Sequence, residues 1–237
     1  MSIIPKIIHY CWFGHNPLPK SAIKCISSWR KFFPDYEIKE WNEDNFDVNI
    51  IPYTAEAYEA KKYAFVSDYA RIWILYKFGG VYFDTDVEVV KPMDDLLTAH
   101  GYMGIERCFG AIIHINPGLG CACEIGNHLC EEILAVYSKK HFKKPNGSYD
   151  FNGIVPITTS VFKRHGLISL NEKQLICNMI VYPSEYFNPY DYTIDKLEIT
   201  QNTRSIHWYG GSWTPFIKKV RLKIGIYIRK FIKKNIK

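Results

Sequence analysis

The hydrophobic pattern changes rhythm several times between residues 3 and 90, and each change predicts an element. Residues 3–12 form an almost unbroken apolar and aromatic run, which predicts a buried strand with Pro5 near its start. Residues 21–32 switch to a helical period, with Ile23, Ile26 and Trp29 expected to face inward. Pro34-Asp35-Tyr36 predicts a turn, 37–41 a second strand and 54–62 a second helix. From residue 64 the period is helical again, because Phe65, Tyr69, Ile72, Trp73 and Tyr76 recur at three- and four-residue steps. Gly79-Gly80 ends that helix, and Val81-Tyr82-Phe83 has the β-branched and aromatic make-up of a buried strand. The order β-α-β-α-α-β predicts an α/β fold with a mainly parallel central sheet flanked by helices. Such sheets bind ligands at the carboxyl ends of their strands, where Trp12, Asp84 and Asp86 all fall.

Beyond residue 86 the pattern predicts strands at 87–90, 102–105, 111–115, 180–183 and 205–209. Helices are expected at 122–140 and 155–165, with a turn at 116–120 and a Gly-Gly loop at 210–213. In residues 217–237, Ile217, Val220, Ile224, Ile228 and Phe231 make an apolar stripe flanked by lysines. That predicts a basic amphipathic C-terminal helix, distinct from a domain at 1–216, suited to an anionic membrane surface or to packing on the domain.

The 237 residues are 47% hydrophobic and 16% aromatic, enough for one domain with a full core. The net charge of +6 is set by the tail, since residues 217–237 hold nine Lys or Arg and no acid. The remainder is net acidic, so no nucleic-acid partner is expected. No apolar run reaches spanning length and the N-terminus lacks the pattern of a secretory leader, so a cytoplasmic location is expected. Seven scattered cysteines do not suggest a disulfide framework. Cys121, Cys123, His128 and Cys130 lie close together but fit no common zinc spacing, and Cys123, Asn127, Cys130 and Leu134 would share a helical stripe.

The candidate chemistry sits at Asp84 and Asp86. Two carboxylates side by side at the end of a buried strand repel each other and lose hydration. A hard divalent cation, Mn²⁺ or Mg²⁺, removes both penalties and takes substrate phosphate as a further ligand. The preceding helix adds Asp68 and Arg71, three residues apart, which could act together on a ligand or form an ordinary helix ion pair.

The stretches IPKIIHYCWFG (4–14), SW (28–29), PDYEIKEWNE (34–43), AFVSDYARIWILYKFGGVYFDTDVE (64–88) and IHWYGGSW (206–213) give the chain a family likeness. It resembles the bacterial members of glycosyltransferase family 32, DXD-containing sugar transferases of capsular or surface polysaccharide synthesis. The matching pieces span most of residues 3–216, and 105–180 match loosely. The resemblance implies a GT-A fold, a nucleotide-sugar donor, a divalent metal and retention of anomeric configuration. It implies that Trp12 stacks on the base, that Asp68 and Arg71 hold the donor sugar, and that Asp84 contacts sugar and ribose. Asp86 would ligate the metal, with His207 or Ser212 completing its shell, while His207, Ser212 and Trp213 close over the diphosphate. His9 is expected to be structural.

The activity expected is retaining, metal-dependent hexosyl transfer, with UDP-galactose or UDP-glucose favoured as donor. The acceptor expected is a lipid-linked glycan, met at the inner face of the membrane. A non-catalytic nucleotide-sugar or carbohydrate-binding module of the same fold is the alternative. A protein-modifying toxin-like transferase and a metal hydrolase fit less well, the latter for want of an activated nucleophile.

Overall fold

The computed structural model describes residues 3–97, 100–107, 113–192 and 194–210. The predicted C-terminal helix at 217–237, Ser212 and Trp213 lie outside the described residues. The opening order is as predicted: β1 (Ile7–Cys11), α1 (Lys20–Phe32), β2 (Glu37–Trp41), α2 (Pro52–Glu59), α3 (Tyr63–Phe78) and β3 (Gly80–Tyr82). There follow β4 (Val87–Val89), β5 (Gly101–Arg107), β6 (Ile113–Ile115), β7 (Cys121–Cys123), α4 (His128–Tyr137) and α5 (Ile154–Arg164). The described chain ends with β8 (Gln174–Ile176), β9 (Met179–Tyr182), β10 (Tyr190–Asp191), β11 (Lys196–Leu197) and β12 (Ser205–His207).

The main sheet runs β2-β1-β3-β7-β5-β9-β8, with β6 paired to β5. β2, β1 and β3 are parallel, as are β5 and β9, whereas β7 runs antiparallel to both its neighbours. The sheet is therefore mixed around a parallel core, and helices cover it. β12 pairs with β4 in a separate two-stranded sheet. No helix among the described residues is long and apolar enough to cross a membrane.

Three expectations need correction. Ile23 is exposed, because the inward stripe of α1 runs through Ala22, Cys25, Ile26 and Trp29. The helix expected at 122–140 begins only at His128, because Cys121–Cys123 is an inner strand of the sheet. Cys123 and Cys130 thus share no helical stripe, although their sulfurs meet at 3.7 Å across the strand-helix packing. Helix α3 is not one-faced either. Phe65, Val66, Tyr69, Ala70, Ile72, Ile74 and Leu75 are all buried, because α3 lies between the sheet and helices α2, α4 and α5. A helix enclosed on most sides loses the narrow stripe of a surface helix.

Two contacts set the position of the turn after β3. Trp29 Nε1 donates to Val87 O at 2.8 Å while its ring packs on Phe83. Ser28 Oγ accepts from Val89 N at 2.9 Å, so α1 holds β4 directly behind the Asp84–Asp86 turn. On the other side, Gly80 has φ +97° and a Cβ there would meet Ile7 O at 2.6 Å. Glycine is required at that point for β3 to lie against β1.

His9 is structural, as expected. Its ring is buried between Trp41 Nε1, which donates to Nδ1 at 3.1 Å, and Gly79 O, 3.0 Å from Nε2. That arrangement requires the neutral tautomer with its proton on Nε2. Burial pushes the His9 pKa down to about 4, against the raising effect of the Gly79 carbonyl. A depressed histidine pKa contributes stability that is complete above about 6.5 and is lost as pH falls toward 4, on the order of 3 kcal/mol for this group. Thermal unfolding followed by circular dichroism should show that loss between pH 6.5 and 4. In His9→Gln the step should flatten, leaving only the carboxylate contribution at lower pH.

Candidate active site

Helix α3 and the β3–β4 turn bring Asp68, Arg71, Asp84 and Asp86 together at the carboxyl end of the parallel strands. Arg71 is the centre of the group. Its side chain is 6% exposed and every nitrogen has a partner. Nη1 and Nη2 reach the two oxygens of Asp84 at 3.2 and 3.1 Å, Nη2 reaches Asp68 Oδ1 at 3.2 Å, and Nε donates to Ser67 O. This fork-on-fork contact with Asp84 is the strong form of a charge-assisted pair. The Asp68–Arg71 pair of the sequence is present, but as one arm of a buried triad, and Tyr82 Oη adds a hydrogen bond to Asp84 Oδ1.

Asp86 faces a different set of partners. Oδ1 lies 3.1 Å from His207 Nε2, and Oδ2 accepts from Gly210 N at 2.8 Å. The backbone carbonyl of Asp86 also accepts from Trp208 N. The β4–β12 register, with His207 opposite Val87, brings Asp86 to partners from the far end of the described chain. Asp84 and Asp86 converge through a turn past the end of β3, closed by Val87 N donating to Asp84 O. Oxygen or nitrogen atoms of Asp84, Asp86 and His207 all lie within 4.8 Å of one another.

The electrostatics separate the three acids. Burial pushes the Asp68 carboxyl up to about 6, against the pull of Arg71. Burial also raises Asp84, with Arg71 opposing and Asp86 adding to the rise. Burial acts the same way on Asp86, but His207 and the Gly210 N–H outweigh it and hold this carboxyl down at about 2. His207 is raised in turn, its burial overcome by Asp86. Asp86 is thus the firmly ionised acid, and its imidazole partner carries a buried Nδ1 with no hydrogen-bond partner.

This donor set fits a divalent cation. Two carboxylates and an imidazole converge, and the buried Nδ1 on the far side of the His207 ring lacks a protein hydrogen-bond partner. Trp12 leaves β1 on the same side, its N–H on Trp41 O and its Nε1 on Asn16 O. His9 O accepts from Phe83 N, so Trp12 and Asp84 emerge from adjacent strands at one end of the sheet.

Several participants were not visible as chemistry in the sequence. The turn Asn116-Pro117-Gly118 lies against the triad, and a Cβ at Gly118 would stand 2.5 Å from Asp84 Oδ2 and 3.0 Å from Arg71 Nη1. Only glycine allows that approach; its signal was a turn motif and nothing more. Ile154 N, the first residue of α5, donates to Asp68 Oδ2 at 3.1 Å, so Asp68 caps a helix whose own N-cap, Gly153, has no side chain to do so. Tyr209 packs edge-on against His207 at 4.2 Å, donates to Glu106 Oε1 and accepts from Asn188 Nδ2.

Residues 19–102 match the family model described as "Glycosyltransferase sugar-binding region containing DXD motif". An inositol phosphoceramide mannosyltransferase of Schizosaccharomyces pombe is 35% identical over 98 residues, covering 40% of this chain and 27% of the relative. The chain thus spans about a quarter of that relative's length. An uncharacterized glycosyltransferase of Acanthamoeba polyphaga mimivirus is 23% identical, with 93% of this chain and 88% of the relative covered. Among solved structures, the glycosyltransferase of the PaToxG toxin superposes with TM-score 0.52 at 20% identity, over 68% of this chain and 69% of that one. A glycosyltransferase involved in glycosylation of the major capsid of PBCV-1 superposes with TM-score 0.53 at 13% identity, over 92% of this chain and all of that one. The fold is therefore the GT-A fold of glycosyltransferases. Asp84 and Asp86, spaced as Asp-x-Asp, fall inside the residues matched by that DXD-containing family model.

Arg71 is the cation on which Asp68 and Asp84 depend. Its replacement by methionine should cost about 3 kcal/mol by chemical denaturation, the low end for breaking a buried ion pair, because Asp84 is partly exposed. Adding Asp68→Asn and Asp84→Asn to that variant should recover much of the loss, since no unpaired buried charge then remains.

Proposed function

We propose that the protein is a retaining, metal-dependent glycosyltransferase that moves a hexose from a nucleoside-diphosphate sugar to a growing surface glycan. The observation that carries this reading is the convergence of Asp84, Asp86 and His207 beside an Arg71-clamped carboxylate pair. Asp86 and His207 would hold Mn²⁺ or Mg²⁺ against the donor diphosphate, with Ser212 as a further ligand in the loop that follows. When bound, the cation would offset the charge that the departing diphosphate gains.

The chain's own residues supply the rest of the reaction. The two contacts from Arg71 fix the Asp84 carboxyl in place, so Asp84 can take sugar or ribose hydroxyls without reorganising. Asp68 and Arg71 line the donor-sugar side, where a carboxylate stabilises cationic character developing at C1 as the bond to the diphosphate oxygen breaks. The acceptor oxygen forms the new bond at C1 as the bond from C1 to the diphosphate oxygen breaks, its proton passes to that departing oxygen, and the nucleoside diphosphate leaves. Trp12 would stack on the base, and Trp213 with Ser212 would close over the phosphates. The intact set of Asp68, Arg71, Asp84 and Asp86 favours this reading over a non-catalytic binding module.

UDP-galactose or UDP-glucose is the donor favoured by the family likeness. The mannosyltransferase names of the fungal relatives favour GDP-mannose as a second reading, and their inositol phosphoceramide acceptors favour a lipid-borne one. We place the enzyme at the cytoplasmic face of the membrane, where residues 217–237 would meet anionic lipid and a lipid-linked capsular or surface polysaccharide.

Two measurements test the reading. Calorimetric titration of each nucleotide sugar with Mn²⁺ should give binding that Asp86→Asn weakens by raising the Mn²⁺ requirement at least about tenfold. Asp84→Asn should weaken donor binding even at saturating Mn²⁺. Identical behaviour of the two variants, or full donor binding in chelator, would refute the assigned roles. In flotation with phosphatidylserine vesicles, the full chain should float and a chain ending at residue 216 should not; equal flotation would remove the membrane role of the tail.

A further inference from the structure

A second cluster of metal-ligating side chains lies away from the donor site, on the surface formed by α4 and α5. His128 opens α4, Glu132 lies one turn on, and His165 follows the last residue of α5. Glu132 Oε1 stands 3.1 Å from His128 Nε2 and 2.5 Å from His165 Nε2. One ligand atom from each residue lies within 4.8 Å of the other two. The two imidazole rings are 5.9 Å apart and nearly perpendicular, at 79°, so both Nε2 atoms point at one carboxylate oxygen.

The surroundings of Glu132 resemble the outer shell of a metal ligand more than a simple ion pair. Its other oxygen, Oε2, accepts from Arg164 Nη2 at 2.9 Å, which fixes the carboxylate and leaves Oε1 to the histidines. His128 Nδ1 lies 3.7 Å from Glu131 Oε2, within reach of the carboxylate contact that orients ligating histidines. Zinc takes nitrogen and oxygen ligands at about 2.0–2.2 Å in a tetrahedron, whose ligand-to-ligand edges are roughly 3.3 Å. The present nitrogen–oxygen separations need only small side-chain shifts to meet that. His128 is 65% exposed, which leaves room for water in the fourth position.

We propose that His128, Glu132 and His165 form a site for a borderline divalent cation of the Zn²⁺ class. Two imidazoles and one carboxylate suit Zn²⁺, Co²⁺ or Ni²⁺ better than the oxygen-seeking Mg²⁺. The ion would tie the start of α4 to the end of α5. The far end of α5 is the one whose Ile154 N–H holds Asp68, so the tie braces a helix that buttresses the donor site. The role is structural, and the site is independent of the Asp84–Asp86 pair.

The test is zinc titration of metal-free, full-length protein by calorimetry in an Asp86→Asn background, which removes competition from the donor site. One zinc per chain is expected to bind, with a rise in melting temperature. His128→Ala and His165→Ala should each weaken it at least about tenfold, and Arg164→Met by about tenfold through the outer shell. Cobalt in place of zinc should give the visible absorption of a tetrahedral centre, absent from His165→Ala. All four side chains are at the surface, and circular dichroism of each variant checks the fold. No zinc uptake in the Asp86→Asn protein would overturn the proposal. So would uptake unchanged in the His128→Ala/His165→Ala double variant, which would assign the ion to the cysteines.

Discussion

The site depends on one buried cation. Arg71 lies inside helix α3, almost wholly out of water, and meets two carboxylates that could not share that space without it. Each contact has a second function. Asp84 is held at the mouth of the parallel strands, and Asp68 is held where it caps α5. The arrangement ties a central helix, the turn after β3 and a distant helix into one unit. The close approach of Gly118 is possible because the triad is already compact and the loop carries no side chain there.

Asp86 belongs to a different balance. Its neighbour in sequence, Asp84, has its charge opposed by Arg71, whereas Asp86 is opposed by His207 from the last described strand. Two acids in one short motif therefore have opposite proton affinities, Asp84 raised and Asp86 lowered. Such a division suits a site in which one acid reads hydroxyl groups and the other stays charged for a cation. The β4–β12 pairing makes it possible, and α1 secures that pairing through Trp29 and Ser28.

Much of this was legible in the chain before its structure. The first six elements, the helix-glycine-strand passage to Asp84, and the nearness of Asp68 to Arg71 follow from local periodicity and spacing. His9 was read as structural, and its two buried hydrogen bonds agree. Where the pattern failed, a tertiary override was the cause. Cys121–Cys123 continues smoothly into a helical rhythm, but three residues of it complete the sheet between β3 and β5. Ile23 has the right spacing for an inward residue, yet the turn of α1 that faces the sheet is set by Trp29 and Ala22.

The sequence by itself determined the alternating α/β plan, the acids of the DXD motif and the helix that precedes them. These depend on interactions within a few turns or one strand, and such interactions leave a periodic trace. Tertiary structure alone decided what each acid does. Whether Asp68 pairs, caps or binds depends on Ile154, 86 residues away, and the charge of Asp86 depends on His207 and Gly210. Electrostatic effects at 3 Å are indifferent to separation along the chain, so no local pattern encodes them.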